Sequence, residues 1–194
     1  MQHMAIAAAA TALVLGGGSA AMTGNHAAPV QAPVEMSNPM VAGAAMLPNE
    51  SIYENAANSP VHSTFMAEIK AGGMADTLKG AGEYTIFAPT DMAYAALGHD
   101  KVAAMLSPQA AAKDARYLVL RGRYDSQTLL KLINQNDGQV KLKTIGGGTI
   151  TAMLNGPTNI VLIDAKGNVA DISIYDIYQK NGVIQVIDKV VQPA

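Results

Sequence analysis

The chain has no cysteine among its 194 residues. A disulfide framework, a thiolate nucleophile, and a zinc or iron–sulfur site with cysteine ligands are therefore excluded. Basic residues are also few, with 13 Lys and Arg against 15 Asp and Glu, and none of them precedes Lys70. The formal net charge of -2 leaves no global basic excess, so nucleic acid and anionic lipid are not expected partners.

Motifs for catalysis and metal binding are missing as well. The histidines are His3, His26, His62 and His99, and none shares a His-x-x-His or His-Glu-x-x-His spacing with another. No Gly-x-Ser-x-Gly elbow presents a serine nucleophile. The glycines at 146–148 lack the Lys-Ser/Thr ending of a phosphate loop, which favours a hairpin turn. We therefore expect no enzyme activity, no cofactor and no metal ion.

The first 45 residues have the composition of an export segment and a spacer. Ala5 to Met22 is uncharged and ends in small residues, which predicts a signal peptide over residues 1–21 although its start carries no basic side chain. A retained anchor or a disordered tail is the alternative. Residues 22–45 are rich in Ala and Pro and predict a flexible spacer. These features favour a secreted, periplasmic or cell-surface protein with no membrane span in its mature form.

Residues 46–194 have the pattern of one α+β domain. Apolar residues recur at helical spacing from Ser51 to Leu120, and Ser126 is a candidate N-cap for a further helix. Beyond Asn136, short β-rich runs alternate with glycine-containing turns, as in an antiparallel meander. Helices that precede strands in this way predict short helices packed on an antiparallel sheet or sandwich.

Two segments about ninety residues apart stand out. In TIFAPTDMAYAAL, a short apolar strand ends at a proline, and Thr90-Asp91 begins a helix with a hydroxyl and a carboxylate near its first N–H groups. In NGVIQVIDKVVQP, an Asn181-Gly182 turn leads into a β-branched strand that we expect to close the sheet, with Asp188 inside it. The two segments resemble the signature stretches of fasciclin-like domains, and the resemblance covers roughly residues 40–194.

The resemblance implies a compact α+β wedge with the two stretches together in its core, and an adhesion role instead of catalysis. In animal members, integrin recognition has been attributed to an Asp-Ile dipeptide and a Tyr-His pair. The dipeptide matches Asp176-Ile177, but Tyr117 is followed by Leu118, and Gln185 takes a position that is often His. These departures argue against an integrin-type partner and leave the fold expectation unchanged.

Two sets of residues are candidates for contact with a partner. Asp176 and Ile177 are expected in a loop between a strand and the next turn, where loops on a rigid sheet commonly carry binding groups. A basic cluster of Arg116, Arg121 and Arg123, interleaved with Tyr117 and Tyr124, suits an anionic polysaccharide by charge and stacking, and Arg121 and Arg123 are its candidate contact residues. For the first set, the alternative interpretation is that Ile177 is buried and Asp176 caps a turn. For the second set, it is that Tyr117 enters the core while the arginines stay solvated.

Asp91 and Asp188 are expected to be structural, because no acid–base partner for catalysis accompanies either. The sequence thus predicts a secreted or surface-exposed binding module that recognises a protein or polysaccharide of the cell surface or matrix. The alternative is a periplasmic metal- or small-ligand-binding protein, since the thioethers of Met36, Met40 and Met46 follow His26 closely enough to suggest a cuprous site.

Overall fold

A seven-stranded mixed sheet organises residues 38–194, the part of the chain described in this computed structural model. Its strands are β1 (Tyr84–Pro89), β2 (Val119–Arg121), β3 (Gln139–Lys143), β4 (Thr149–Leu154), β5 (Ile160–Ile163), β6 (Val169–Gln179) and β7 (Gly182–Ile187). The helices of the described region are α1 (Ile52–Asn58), α2 (Ser63–Ala71), α3 (Ala75–Lys79), α4 (Asp91–Ala95), α5 (His99–Met105), α6 (Pro108–Tyr117) and α7 (Ser126–Gln135). The predicted α+β class is confirmed.

The strand order is β2-β1-β7-β6-β5-β4-β3. The strand of the second signature therefore lies inside the sheet, between β1 and β6, instead of closing it as the sequence predicted. It pairs with β1 in parallel, from Tyr84 opposite Gly182 to Pro89 opposite Ile187. The two signature stretches are thus hydrogen-bonded neighbours, while the expectation of a purely antiparallel sheet is wrong at this one pair of strands.

The two edges of the sheet approach each other. Ile145, just after β3, donates its N–H to the carbonyl oxygen of Val119 in β2 at 2.9 Å, and Leu120 forms a bridge with Thr144. The sheet therefore curls into a nearly closed wedge. Closure of this kind leaves little unpaired edge for another chain to join.

The helices cover the wedge with apolar faces. Phe65 and Ile69 of α2, Tyr94 of α4 and Leu129 of α7 are almost completely buried. The α2 and α6 helices pack closely because α2 ends at Gly72, where an added Cβ would lie 2.5 Å from the carbonyl oxygen of Ala111. A larger residue at this position would push the two helices apart.

The packed chain extends upstream of the boundary expected at residue 46. The Asn38 amide donates to the Tyr178 carbonyl oxygen at 2.6 Å and accepts from the Tyr178 N–H at 2.7 Å, so it pairs with β6 as a backbone group would. Val41 is buried, with 1% of its surface exposed. Asn38 and Val41 thus contact the domain, although Pro39, Met40 and most of the residues from 42 to 45 are exposed. The predicted signal peptide and the spacer up to residue 37 lie outside the described residues.

Between residues 38 and 194, no helix is both long enough and apolar enough to cross a membrane.

Candidate functional site

The Asn181 side chain connects three parts of the fold. Its Oδ1 accepts a hydrogen bond from the Ile52 N–H at 2.8 Å, and its Nδ2 donates to the carbonyl oxygens of Leu78 at 2.7 Å and Gly80 at 2.9 Å. Asn181 is buried, with 2% of its surface exposed. One amide therefore makes hydrogen bonds with backbone groups at the N-terminus of α1 and at the C-terminus of α3, where a helix leaves such groups unpaired.

Gly182 allows β7 to approach β1 closely. Its φ is 153°, and an added Cβ would lie 1.9 Å from the carbonyl oxygen of Tyr84 on β1. No side chain fits at that distance. The fold therefore needs both residues of the signature turn, the Asn181 side chain for its hydrogen bonds and Gly182 for its missing side chain.

Thr90 and Asp91 stabilise two different helices. The Thr90 hydroxyl accepts from the Ala93 N–H at 3.2 Å and caps α4, as the sequence predicted. The Asp91 carboxylate instead reaches α2, where it accepts from the N–H groups of Ser63 at 3.2 Å and Thr64 at 2.7 Å. Partial burial acts to raise the pKa of Asp91, but the bonds from Thr64 and Ser63 outweigh it and lower the pKa.

Asp188 lies outside the strand that was expected to contain it. The β7 strand ends at Ile187, and the Asp188 side chain is exposed. Its carboxylate accepts from the Asp171 N–H at 2.7 Å, and its own N–H donates to the Asp171 carbonyl oxygen at 3.1 Å. The contact with the neighbouring backbone supports a structural role, but the predicted position of Asp188 inside the strand is wrong.

Asp176 and Ile177 face the interior of the domain. They lie within β6 at a register irregularity, where Asp176 has a φ of 58°, and Ile177 is only 1% exposed. The Asp176 carboxylate accepts from the Ser126 N–H at 2.7 Å and from Gln185 Nε2 at 2.9 Å. The expectation of an exposed pair in a loop is therefore wrong. Gln185, at the position that is often His, helps to hold this aspartate.

The same network corrects the predicted cap of α7. Asp125, and not Ser126, is the N-cap, since its carboxylate accepts from the Thr128 N–H at 2.8 Å. Ser126 is the first helical residue, and its N–H and hydroxyl both donate to Asp176. Two carboxylates thus bind the N-terminus of one helix, where the helix dipole stabilises negative charge.

Arg121 and Arg123 each lie against a tyrosine ring. The Cζ of Arg121 is 5.9 Å from the centre of the Tyr84 ring, and that of Arg123 is 6.0 Å from the centre of the Tyr178 ring. Arg123 is also 3.8 Å from a carboxylate oxygen of Glu83. We call Tyr84, Arg121, Arg123 and Tyr178 the Arg–Tyr face. Its arginines are held by cation–π contacts at the protein surface.

The tyrosines of this face differ from those that the sequence indicated. Tyr117 is buried, with 2% exposure, and its hydroxyl donates to the Thr149 carbonyl oxygen at 2.7 Å. It therefore belongs to the core, as the alternative interpretation held. Tyr84 of β1 and Tyr178 of β6 are far from each other in sequence. Their strands come together because β1 pairs with β2 and β7, and β7 also pairs with β6.

A buried acid was not predicted. Glu68 has no exposed surface, its Oε2 accepts from the Tyr94 hydroxyl at 2.5 Å, and its Oε1 has no hydrogen-bond partner. Burial raises the pKa of Glu68 to about 7. The sequence did contain a signal for this burial. Glu68 follows Phe65 by three residues and directly precedes Ile69, so it lies on the buried face of α2.

The described residues offer little support for a metal site. Residues 38–194 contain no group of three or more His, Cys, Asp or Glu side chains that could hold a metal ion. Met46 is buried in the core, and Met40 is 59% exposed. The two methionines therefore do not form an exposed pair of ligands. His26 and Met36, the other members of the proposed copper set, lie outside the described residues.

A family model described as the fasciclin domain matches residues 60–193, more than half of the chain. The chain therefore belongs to the fasciclin domain family. Domains of this family are adhesion-type modules without enzymatic activity and are typically extracellular or attached to surfaces.

Two similar proteins come from Synechocystis sp. Protein sll1483 is 28% identical over 147 residues, which cover 74% of this chain and 73% of that protein. The uncharacterized protein sll1735 is 28% identical over 148 residues, which cover 75% of this chain and 98% of that protein.

A solved structure shares the fold. It is a FAS1 domain pair from the insect cell adhesion molecule fasciclin I, with a TM-score of 0.63 and 18% identity over 74% of this chain. The present chain spans about half of that structure, with 51% of it covered.

Proposed function

We propose that the chain is a secreted or surface-exposed adhesion module whose Arg–Tyr face binds a protein or polysaccharide of the cell surface or matrix. The observation that carries the proposal is the placement of two surface arginines within about 6 Å of the centres of two tyrosine rings. Membership of the fasciclin domain family supports the adhesion role.

The face has the composition of an interaction site. Tyrosine and arginine are enriched in the core of interfaces and among the residues that contribute most to binding. Arg121 is exposed, and Tyr84 and Tyr178 are half-buried, so their rings are fixed while one side stays accessible. Side chains that are already ordered before binding lose less conformational entropy when a partner associates.

Rigid support comes from the sheet beneath. Arg121 ends β2, which is paired with β1 from Tyr84 opposite Arg121. The segment after β2 is held by Thr85, whose hydroxyl donates to the Gly122 carbonyl oxygen and accepts from the Tyr124 N–H, both at 2.7 Å. Arg121 and Arg123 are therefore presented by a chain with little freedom to move.

Binding of the purified protein to an isolated cell envelope or matrix of its source organism tests the proposal. Arg121→Ala combined with Arg123→Ala should weaken binding at least about tenfold, because both cationic groups leave the face. Arg121→Lys keeps the charge but loses the planar stacking, and we expect an intermediate loss. Arg116→Ala removes an exposed arginine from α6 and is the matched control.

The thermal unfolding midpoint of each variant has to stay close to that of the parent, since Arg123 also bonds the Gln179 carbonyl oxygen at 3.4 Å. If the folded double variant binds as well as the parent, the Arg–Tyr face is not the adhesion site. If Arg116→Ala weakens binding equally, general positive charge accounts for the effect and the proposal is wrong.

A further inference from the structure

Two adjoining cavities form a groove on a different part of the surface. The first, of about 310 Å³, lies between α5, α6 and the segment 192–194. The second, of about 230 Å³, lies between α4 and residues 189–192. Lys101 and Gln192 line both cavities, so the two lie side by side. We call them together the lysine groove.

The rim of the groove is strongly basic. Lys101, Lys113, Lys166 and Lys189 line it, and Asp114 is the only acidic residue among the described residues that do so. Four lysines against one aspartate give a formal charge of +3, in a chain whose net charge is -2. Positive charge is thus concentrated here, where a cleft with apolar walls strengthens its field.

Three of these lysines, Lys101, Lys166 and Lys189, are free to meet an anion, whereas Lys113 Nζ donates a hydrogen bond to the Ala194 carbonyl oxygen at 2.5 Å. Within the described region, none of the four forms a salt bridge with an acidic side chain, whereas Lys180 on another surface pairs with Glu54 at 3.4 Å. One carboxylate, that of Asp114, cannot balance four ammonium groups. Burial raises the pKa of Asp114, and Lys113, Lys166 and Lys101 offset this only in part.

The floor of the groove is aliphatic. Ala93, Ala96, Leu97 and Val190 line the second cavity, and Met105 lines the first. No aromatic residue is among the described residues that line either cavity. Pyranose rings are usually held by stacking on aromatic faces, so this floor suits aliphatic side chains better than sugar rings. The basic rim and the aliphatic floor together suit a ligand that carries carboxylates and apolar groups on one chain.

We infer that the lysine groove binds an acidic peptide segment of a partner protein, with aliphatic side chains between its carboxylates. Such a segment places its carboxylates on the rim and its apolar side chains on the floor, since alternate residues of an extended peptide point in opposite directions. The inference does not depend on the Arg–Tyr face. It gives the module a second and chemically distinct contact.

A fluorescein-labelled peptide of alternating Glu and Leu serves as the probe, and fluorescence anisotropy measures its affinity for the full chain. We expect saturable binding that weakens with added salt, because exposed charges are screened. Lys101→Glu combined with Lys189→Glu should lower the affinity at least about tenfold, since like charges then oppose the ligand. Lys131→Glu combined with Lys141→Glu changes two exposed lysines elsewhere and should leave it unchanged.

A second variant tests the floor without touching a lysine. Ala96 is exposed at the end of α4, and Ala96→Glu places a carboxylate in the groove. We expect it to weaken binding of the peptide while the thermal unfolding midpoint stays unchanged. Arg121→Ala with Arg123→Ala should leave peptide binding intact, so the two proposals can fail separately.

Three results would overturn the inference. Equal binding to both lysine double variants would show that the groove is not the site. Equal affinity for polyglutamate would show that charge alone is recognised and the floor has no role. Tighter binding of a polyuronate such as alginate, in competition with the peptide, would assign the groove to a polysaccharide instead.

Discussion

The Tyr94 hydroxyl donates a hydrogen bond to Oε2 of Glu68 at 2.5 Å, and this is the one bond that the buried carboxyl group makes within the described residues. A charged carboxylate in this position would lack a cation to balance it. Burial accordingly raises the pKa of Glu68 to about 7, and the negative charge of nearby Asp114 adds to the effect. The group is therefore protonated in the folded state at mildly acidic pH.

The first prediction concerns the pH dependence of stability. Glu68 has a folded pKa of about 7 against a model value of 4.5, so the folded state binds more protons between these two pH values. Its contribution is fully present below about pH 4.5 and is lost as the pH rises through about 7, which amounts to about 3 kcal/mol. Glu68→Gln should be more stable than the parent at pH 8, as urea unfolding measures.

The difference between the two proteins isolates this effect. His62 is also buried, and desolvation lowers its pKa, so its contribution changes with pH in the opposite direction. It is present in both proteins and cancels in the comparison. Glu54→Gln is the control. Hydrogen bonds from Ser51 lower the pKa of Glu54 to about 2, so Glu54 does not titrate between pH 4.5 and 7. A parent and a Glu68→Gln variant with parallel stability curves from pH 4.5 to 7 would contradict the prediction.

The second prediction concerns the amide that joins α1 to α3. Asn181→Ala removes three hydrogen bonds and leaves the Ile52 N–H without its buried partner, so it should cost about 3 kcal/mol in the free energy of unfolding. Asn136→Ala is the control. The Asn136 amide donates to the Leu132 carbonyl oxygen from an exposed position, and its loss should cost less than about 0.5 kcal/mol. Equal losses would contradict the structural role of Asn181.

The residues that the sequence located best are those whose role is local. Thr90 caps its own helix, and the Gly147 region forms the turn between β3 and β4, because each depends on a few adjacent residues. Asp91 was assigned to its own helix but caps α2, since its partners Ser63 and Thr64 are brought close only by folding.

Three other features were not predicted, for different reasons. The parallel pairing of β1 with β7 joins segments about ninety residues apart, and no pattern within either segment specifies strand direction. Asp176 occupies a left-handed conformation inside a strand, which the sequence pattern did not distinguish from a loop. Glu68 alone carried a readable signal, a carboxylate on the apolar face of a helix.

The third prediction compares two aspartates of the signature stretches. Asp91→Ala removes the cap of α2, because the N-cap residue His62 makes no side-chain capping bond to this helix, and it should cost about 1–2 kcal/mol. Asp188→Ala removes one bond to the Asp171 N–H at an exposed position, and the cost should stay near about 0.5 kcal/mol. Urea unfolding of both variants measures the difference. A larger loss of unfolding free energy in Asp188→Ala than in Asp91→Ala would contradict the prediction.

The last prediction concerns the start of the packed domain. The Asn38 amide makes two hydrogen bonds with the backbone of Tyr178 and a third, at 3.0 Å, with the Met46 carbonyl oxygen. Asn38→Ala leaves these groups without partners and should cost about 1–2 kcal/mol in the free energy of unfolding. Asn49→Ala, at an exposed position, is the matched control and should be neutral within about 0.5 kcal/mol. If Asn38→Ala unfolds at the same urea concentration as the control, residue 38 contributes nothing to the domain, and the boundary near residue 46 that the sequence favoured would be restored.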